Sequence, residues 1–167
     1  MSSSLPPQVG AFLDRHGLTA LEFEPGSTPT SPLAAARIGC SVGQIAKSLL
    51  FKDKTGAFHL LLLAGDAKVS SGKVKRLVGS EASMASADET FRVTGFRIGA
   101  VCPFGVDNVP IYVDTSLRKW DIVYPAAGTD ASGVPLTYDR LVAVTKAREC
   151  DVATTLVPRE TLPESSP

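Results

Sequence analysis

Apolar residues along this chain occur in short runs separated by glycine, proline and polar residues. Two runs, 46–52 and 57–64, flank Asp53-Lys54-Thr55-Gly56, a pattern typical of two strands joined in a β-hairpin. Other segments with strand-like composition are 19–24, 109–113, 122–124 and 150–153. The pattern therefore predicts several short strands, two of them paired in a hairpin.

Five helices are predicted from proline or N-cap residues at their starts and glycine after several of their ends. They cover about 7–16, 33–38, 71–78, 87–94 and 137–146. In the second, Ser31 is expected to be the N-cap and Pro32 the first helical residue, and the fourth begins with a capping box from Ser86 to Glu89. Because no strand-helix-strand repeat is sustained, we expect an α/β fold of the α+β type, with a mixed or antiparallel sheet and helices packed around it.

The length of 167 residues fits one domain, and we expect a single domain over 1–157 followed by a flexible tail over 158–167. Hydrophobic residues make up 44% of the chain and charged residues 20%, which is typical of a soluble globular protein. No apolar run approaches the roughly 20 residues of a membrane span. The N-terminus lacks the basic region and apolar core of a secretory signal, so we expect a cytoplasmic protein without membrane contact.

Basic residues are concentrated in one part of a chain whose net charge is zero. Zero net charge argues against nonspecific coating of nucleic acid, because phosphate neutralisation supplies most of that affinity. Between Lys47 and Arg76, however, seven lysines and arginines stand against two aspartates. This segment could contact a phosphate backbone, or it could be an ordinary solvated surface.

The cysteines and histidines do not form a disulfide or metal-binding pattern. Cys40, Cys102 and Cys150 are too scattered for a Cys-x-x-Cys pair, and His16 and His59 add no metal-ligand spacing. We therefore expect no metal and no cofactor. Cys102 could act as a nucleophile, but this requires an adjacent base, and neither histidine lies in a recognisable partner motif.

Lys47 stands inside an apolar run. In an alternating strand it would share one face with Leu49 and Phe51. An ammonium group buried there without a partner is costly, so Lys47 must reach solvent, pair with an acid or contact a ligand. The pattern fits both a lysine that reaches solvent from a strand end and a lysine in a binding site.

The segment 94–105 contains more glycine and proline than a simple connection needs, including Gly-x-x-x-Pro-x-Gly from Gly99 to Gly105. Glycine lets the main chain approach a ligand closely, and Pro103 restricts the course of the loop. Such a loop could donate backbone amides to an oxyanion. The candidate donors are the amides of Ala100, Val101 and Cys102. The alternative is a tight loop that leads into an edge strand.

Four features follow the order of the YbaK and prolyl-tRNA-synthetase-associated editing domain family: Lys47 in its apolar strand, Thr94-Gly95-Phe96, the loop Gly99 to Gly105, and the strand that ends at Asp114. The chain resembles this family from about Ser31 to about Val152. The resemblance implies a compact α/β fold with a curved, mixed and largely antiparallel sheet that approaches a barrel. It also implies hydrolysis of a wrong amino acid from transfer RNA.

The resemblance implies roles for individual residues. The family's lysine contacts the terminal nucleotide or the scissile ester, a role that falls to Lys47. Its acidic residue falls on Asp114, which could orient Lys47, accept a ribose hydroxyl or hold an α-ammonium; the alternative is capping of the following turn. The family uses the ribose hydroxyl of its substrate and not an enzyme nucleophile. The implied substrate-binding residues are Gly99, Ala100, Val101, Cys102, Pro103, Phe104 and Gly105.

These observations predict a freestanding deacylase that removes a mischarged small amino acid from tRNA for proline. Its expected partners are the tRNA acceptor end and a prolyl-tRNA synthetase. Phe23 cannot donate the hydrogen bond of the aromatic hydroxyl that is common in the cysteine-removing branch, which leaves alanine, serine, threonine or another small residue. The alternatives are a noncatalytic module that binds tRNA or a synthetase, and a small-molecule hydrolase that uses Cys102.

Overall fold

The computed structural model describes residues 4–154, so the predicted tail over 158–167 and both ends of the predicted domain lie outside the described residues. The helices are α1 (Pro7–Arg15), α2 (Ser31–Ile38), α3 (Ser71–Val78), α4 (Ala87–Thr94) and α5 (Tyr138–Thr145). The strands are β1 (Leu21–Glu22), β2 (Ile45–Asp53), β3 (Phe58–Ala64), β4 (Ala82–Met84), β5 (Ile111–Asp114), β6 (Tyr124–Pro125), β7 (Ser132–Gly133) and β8 (Arg148–Cys150). Single 3-10 turns cover Val42–Gln44 and Thr115–Leu117.

Polar side chains account for where the helices begin. Ser86 and Glu89 form the predicted capping box of α4: Ser86 Oγ accepts from the N–H of Glu89 at 3.0 Å, and Glu89 Oε1 accepts from the N–H of Ser86 at 2.9 Å. The predicted cap of α2 is wrong by one residue. Thr30 Oγ1, not Ser31, accepts the N–H of Leu33 at 3.3 Å, so α2 starts at Ser31.

Six strands form one mixed sheet in the order β4-β2-β3-β5-β8, with β6 also paired to β2. β2 is antiparallel to β3 and β4, whereas the β2–β6, β3–β5 and β5–β8 pairings are parallel. β1 and β7 form a separate antiparallel pair. The α/β fold with a mixed sheet is confirmed. The sheet is open rather than closed into a barrel, and its parallel share is larger than expected because β5, β6 and β8 do not join it through hairpins.

The short strands differ most from the sequence prediction. The strand expected over 19–24 is reduced to β1, and the one expected over 150–153 lies at β8. β4 and β7 carry no strand signal, because two or three residues are too few for an alternation to show. Their positions depend on the strands that they pair with.

One edge of β2 is covered only at its two ends. β6 pairs with Ile45 and Ala46, and β4 pairs with 51–53 on the same edge. No described strand pairs with 47–50 on this side. The sheet therefore has a gap beside the middle of β2.

β3 is the buried centre of the sheet. Leu60 to Leu63 are each 0% exposed. Leu60 and Leu62 pack in one cluster with residues of α1 and α5, whereas Leu61 packs with Val74 of α3 on the opposite face. Burial on both faces explains why this segment is a continuous apolar run and not an alternating one. None of the described helices is long and apolar enough to cross a membrane.

Candidate active site

A pocket of about 220 Å³ opens in the gap beside β2. Its walls come from β2, the start of α2, α4, the loop 98–101, β4 and β6. Aliphatic side chains dominate the lining and serine and threonine hydroxyls interrupt it. Among the described lining residues there is no carboxylate or imidazole, and the cationic side chain is Lys47. Nowhere in 4–154 do three His, Cys, Asp or Glu side chains group as metal ligands would.

Lys47 lies half-buried on β2, where the strand pairs with β3 on one side and has no described strand on the other. Its Nζ donates to the carbonyl oxygens of Ala67 at 2.6 Å and Gly65 at 3.4 Å. Burial lowers the pKa of Lys47 from its ordinary value, the carboxylate of Asp66 partly offsets this effect, and Lys68 adds to it. An ammonium group has three donors. With two directed at the turn 65–67, one remains for a ligand.

The loop from Gly99 to Gly105 is divided between the pocket and the core. Gly99 and Val101 line the pocket, whereas Gly105 faces Gln8 of α1. The buried remainder consists of Ala100, Cys102, Pro103 and Phe104. The first residues of the loop can thus meet a ligand, and the others anchor the loop in the core.

Gly99 brings the main chain against the opposite wall of the pocket. Its φ is +91°, which favours glycine, and a Cβ placed there would lie 3.0 Å from the carbonyl oxygen of Pro29. Pro29 itself lines the pocket. The glycine therefore determines how closely the loop approaches this wall.

The three candidate oxyanion donors are not equivalent. The N–H of Ala100 donates to the carbonyl oxygen of Arg97 at 2.9 Å and is therefore occupied. Within the described residues, the N–H groups of Val101 and Cys102 have no hydrogen-bond partner. Val101 is the better placed of the two because it lines the pocket.

Cys102 does not resemble an activated nucleophile. Its thiol is 0% exposed, and Sγ lies 3.8 Å from the carbonyl oxygen of Phe104. Burial raises the pKa of Cys102 to about 12, so the thiol stays protonated near neutral pH. His59 Nε2 lies 2.9 Å from Asp53 Oδ2, and His16 stacks on an aromatic ring of α1. Neither imidazole is paired with Cys102.

Asp114 lies outside the pocket lining and is 1% exposed. Its Oδ1 accepts from the N–H groups of Val152 at 2.6 Å and Ala153 at 3.2 Å. Its Oδ2 accepts from the N–H of Ser116 at 2.9 Å, which caps the turn after β5. The structure does not bring Asp114 into contact with Lys47, and its bonds fit the capping alternative.

Several pocket residues were missed by sequence reasoning. Thr28 and Ser132 lie far apart in the chain and are joined by a hydrogen bond from the N–H of Ser132 to Thr28 Oγ1 at 3.1 Å. Thr90 reaches the pocket from α4. None of these carries a sequence signal. Ser48 could have been found, because it is a second polar residue next to Lys47 in the otherwise apolar stretch 45–51.

A family model described as an aminoacyl-tRNA editing domain matches residues 25–144. The matched range includes all the residues that line the pocket.

The chain is also similar to individual proteins. It is 42% identical over 117 residues to the uncharacterized protein YwhH of Bacillus subtilis, covering 70% of this chain and 74% of that protein. It is 31% identical over 114 residues to the prolyl-tRNA editing protein ProX of Acetoanaerobium sticklandii, covering 64% and 70%. The crystal structure of a candidate trans-editing enzyme for prolyl tRNA synthetase superimposes with a TM-score of 0.83 at 34% identity, covering 93% of this chain and 100% of that one.

Proposed function

Because this chain belongs to the aminoacyl-tRNA editing domain family, we propose that it is a deacylase that hydrolyses the ester between a wrong, small amino acid and its tRNA. The proposed carrier is tRNA for proline, and the proposed mode is action in trans. ProX and the candidate trans-editing enzyme, both described as acting in prolyl-tRNA editing, support this choice.

The observation that carries the proposal is that the described lining of the pocket contains hydrogen-bond donors but no carboxylate or imidazole that could act as a base. Lys47 and Val101 both line one small cavity; Lys47 has a donor left for a ligand, and the N–H of Val101 has no partner within the described residues. Its described lining offers neither a carboxylate nor an imidazole. Such a site can stabilise an oxyanion, but it needs another group to activate water.

The proposed reaction is attack of water on the ester carbonyl. The water oxygen forms a bond to the carbonyl carbon, and the charge that develops on the carbonyl oxygen is stabilised by Lys47 Nζ and the N–H of Val101. The neighbouring ribose hydroxyl takes part in removing the proton from water. The bond from carbon to the ribose oxygen then breaks, that oxygen gains a proton, and the products are the free amino acid and uncharged tRNA.

The size of the pocket supports a small aminoacyl group. A volume of about 220 Å³ is below the range of roughly 300–1,000 Å³ for sites that enclose drug-sized ligands. A hydrophobic pocket gains only about 1–3 kcal/mol of discrimination per methylene. We therefore propose that the pocket admits a small aminoacyl group and rejects larger ones because they do not enter.

The tRNA acceptor end is the proposed partner, with a prolyl-tRNA synthetase as a second one in the cytoplasm. Part of the basic segment is neutralised within the protein: Lys52 pairs with Glu89 at 2.7 Å, and Lys54 and Lys75 lie 3.6 and 3.9 Å from Glu81. Lys68 and Arg76 are exposed. They are the better candidates for phosphate contacts.

The test is deacylation of a panel of mischarged tRNAs, with alanine, serine, threonine and cysteine on tRNA for proline, and correctly charged alanine on its own tRNA as the control. We expect rapid loss of one small amino acid from tRNA for proline and no acceleration with a Lys47→Ala variant.

Uniform inactivity of the wild-type protein on this panel would overturn the proposal. If tRNA binding were measurable under the same conditions, the noncatalytic binding module would be the better interpretation. Activity that survives in Lys47→Ala would remove Lys47 from the mechanism.

A further inference from the structure

The main chain of β2 is turned toward the pocket at Ser48. The carbonyl oxygen of Leu50 accepts from the N–H of Ala85 at 2.8 Å, so the peptide groups of Leu50 face away from β3. In agreement, the N–H of Leu60, opposite Leu50, donates to Pro110 on the other side. In an antiparallel pair this direction recurs every two residues. The N–H and C=O of Ser48 therefore point toward the gap.

No described strand satisfies these two groups. The pairing with β6 ends at Ala46, and the pairing with β4 begins at Phe51. Neither peptide group of Ser48 has a hydrogen-bond partner in the described chain. Open strand edges of this kind are the sites where extended ligands add main-chain hydrogen bonds.

The side chain of Ser48 adds a third unsatisfied group. Its Oγ is shielded from solvent and has no partner among the described residues, although Ser48 lines the pocket. Buried hydroxyls normally have a hydrogen-bond partner, and a buried hydroxyl without one is unfavourable. Ser48 thus has two main-chain groups without partners at the edge of a largely aliphatic cavity, and beside them a shielded hydroxyl that has no partner among the described residues.

We propose that Ser48 is the specificity-determining residue that binds the amino-acid part of the substrate by its α-ammonium group. This inference rests on the proposed function. The ammonium donates to the C=O of Ser48 and, once the hydroxyl turns toward the cavity, to its Oγ, and the N–H of Ser48 donates to the carbonyl oxygen of the acyl group. The ligand class is therefore an α-aminoacyl ester with a free amino group. An N-acylated or peptidyl ester would lack the charge and add bulk at this edge.

The chain offers a matched control. Ser80 Oγ is also shielded and has no partner within residues 4–154, but Ser80 does not line the pocket. Ser48→Ala and Ser80→Ala each remove one unsatisfied hydroxyl, so both variants should fold as well as the wild type.

The first measurement is direct binding, followed by backbone NMR of the wild-type protein. The probe is 3′-alanylamino-3′-deoxyadenosine, in which an amide replaces the labile ester. We expect the Ser48 amide signal to shift and its hydrogen exchange to slow at saturation, with Ser80 unchanged. Acetylation of the amino group of the probe should weaken binding about 10-fold or more. An unshifted Ser48 amide at saturation, equal binding of the acetylated probe, or no binding at all would overturn the proposal.

The second measurement is steady-state deacylation. With alanine carried by tRNA for proline, Ser48→Ala should raise KM about 3- to 10-fold and leave the KM for the N-acetylalanyl form of the same tRNA unchanged, whereas Ser80→Ala should alter neither. Equal effects of both variants, or of Ser48→Ala on both substrates, would contradict an ammonium site. A wild-type protein that binds the probe at Ser48 but deacylates nothing would overturn the proposed function and leave the binding site standing.

Discussion

Lys47 and Asp114 are two polar residues of the same sheet, and the sequence singles out both for the same catalytic site. Lys47 lies half-buried at the pocket and binds two carbonyl oxygens with its ammonium group. Asp114 is 1% exposed and accepts three backbone N–H groups away from the pocket. Both therefore bond to the main chain, but they do so in different surroundings.

The difference lies in the neighbouring strands. Asp114 ends β5, and its carboxylate accepts N–H groups from the segment after β8 and from the turn after β5. Lys47 is on β2 where one edge is open. A buried polar residue with a complete set of partners supports the fold, whereas one beside a gap is available to a ligand.

The largest effect is expected at Lys47. Lys47→Gln should lower kcat/KM for deacylation by about 100-fold or more, because an oxyanion loses its charged donor. Circular dichroism should show a fold close to that of the wild type. Lys47→Arg, which keeps the charge but not the shape, should retain part of the activity. Full turnover by Lys47→Gln would show that Lys47, like Asp114, supports the fold and does not take part in the reaction.

Asp114→Asn should act on stability instead. The amide group puts N–H donors where the carboxylate accepts N–H groups, so we expect a loss of about 2 kcal/mol in the free energy of unfolding in urea. Deacylation per folded molecule should be unchanged. Normal stability combined with lost activity would instead support the catalytic role that the sequence suggests.

Two glycines of one loop sharpen the comparison further. Gly99 and Gly105 both have positive φ, +91° and +82°, so alanine at either position should cost about 1–2 kcal/mol of stability. Only Gly99 lines the pocket. Gly99→Ala should therefore also lower kcat/KM roughly 10-fold, since small displacements of a reacting geometry are costly. Equal kinetic effects of the two substitutions would show that loop strain, not its position at the pocket, controls activity.

The smallest effect concerns the pH dependence of deacylation. If the ammonium form of Lys47 is required, activity is lost as pH rises through its lowered pKa. Asp66 raises this pKa, so Asp66→Asn should move the alkaline limb to lower pH; Lys68 lowers it, so Lys68→Gln should move the limb to higher pH. Uncatalysed ester hydrolysis is measured at each pH and subtracted. Shifts in the same direction would assign the limb to another group.

Local signals predicted the elements that are long or capped. The hairpin of β2 and β3 follows from two apolar runs around a turn, and α4 follows from its capping box. Tertiary pairing decided the short strands: β4 and β7 have too few residues to show a pattern, and β7 forms only because β1 lies beside it. The sequence predicted that the sheet is mixed, but not how many of its strand pairs are parallel.

The site was predictable to a similar degree. Lys47, Gly99 and Val101 were identified from the sequence, and the structure places them around one cavity. Their catalytic and binding roles stay predictions, as do those of the rest of the loop. Thr28, Thr90 and Ser132 could not be identified, because a wall built from distant segments has no local pattern.

By itself, the sequence determined that an amine would stand in an apolar strand and that a glycine-rich loop would follow it, since residue type and spacing dictate both. Only the tertiary structure decided which polar groups are left unpaired. That outcome depends on where the pairing with neighbouring strands stops. β6 pairs with β2 only as far as Ala46, and β4 pairs only with 51–53, whereas β8 is still paired with β5 at Asp114. The main-chain hydrogen bonds of a sheet form between strands that are distant in the sequence. The gap beside Lys47 and Ser48 therefore cannot be predicted from the sequence of β2, β4 or β6 alone.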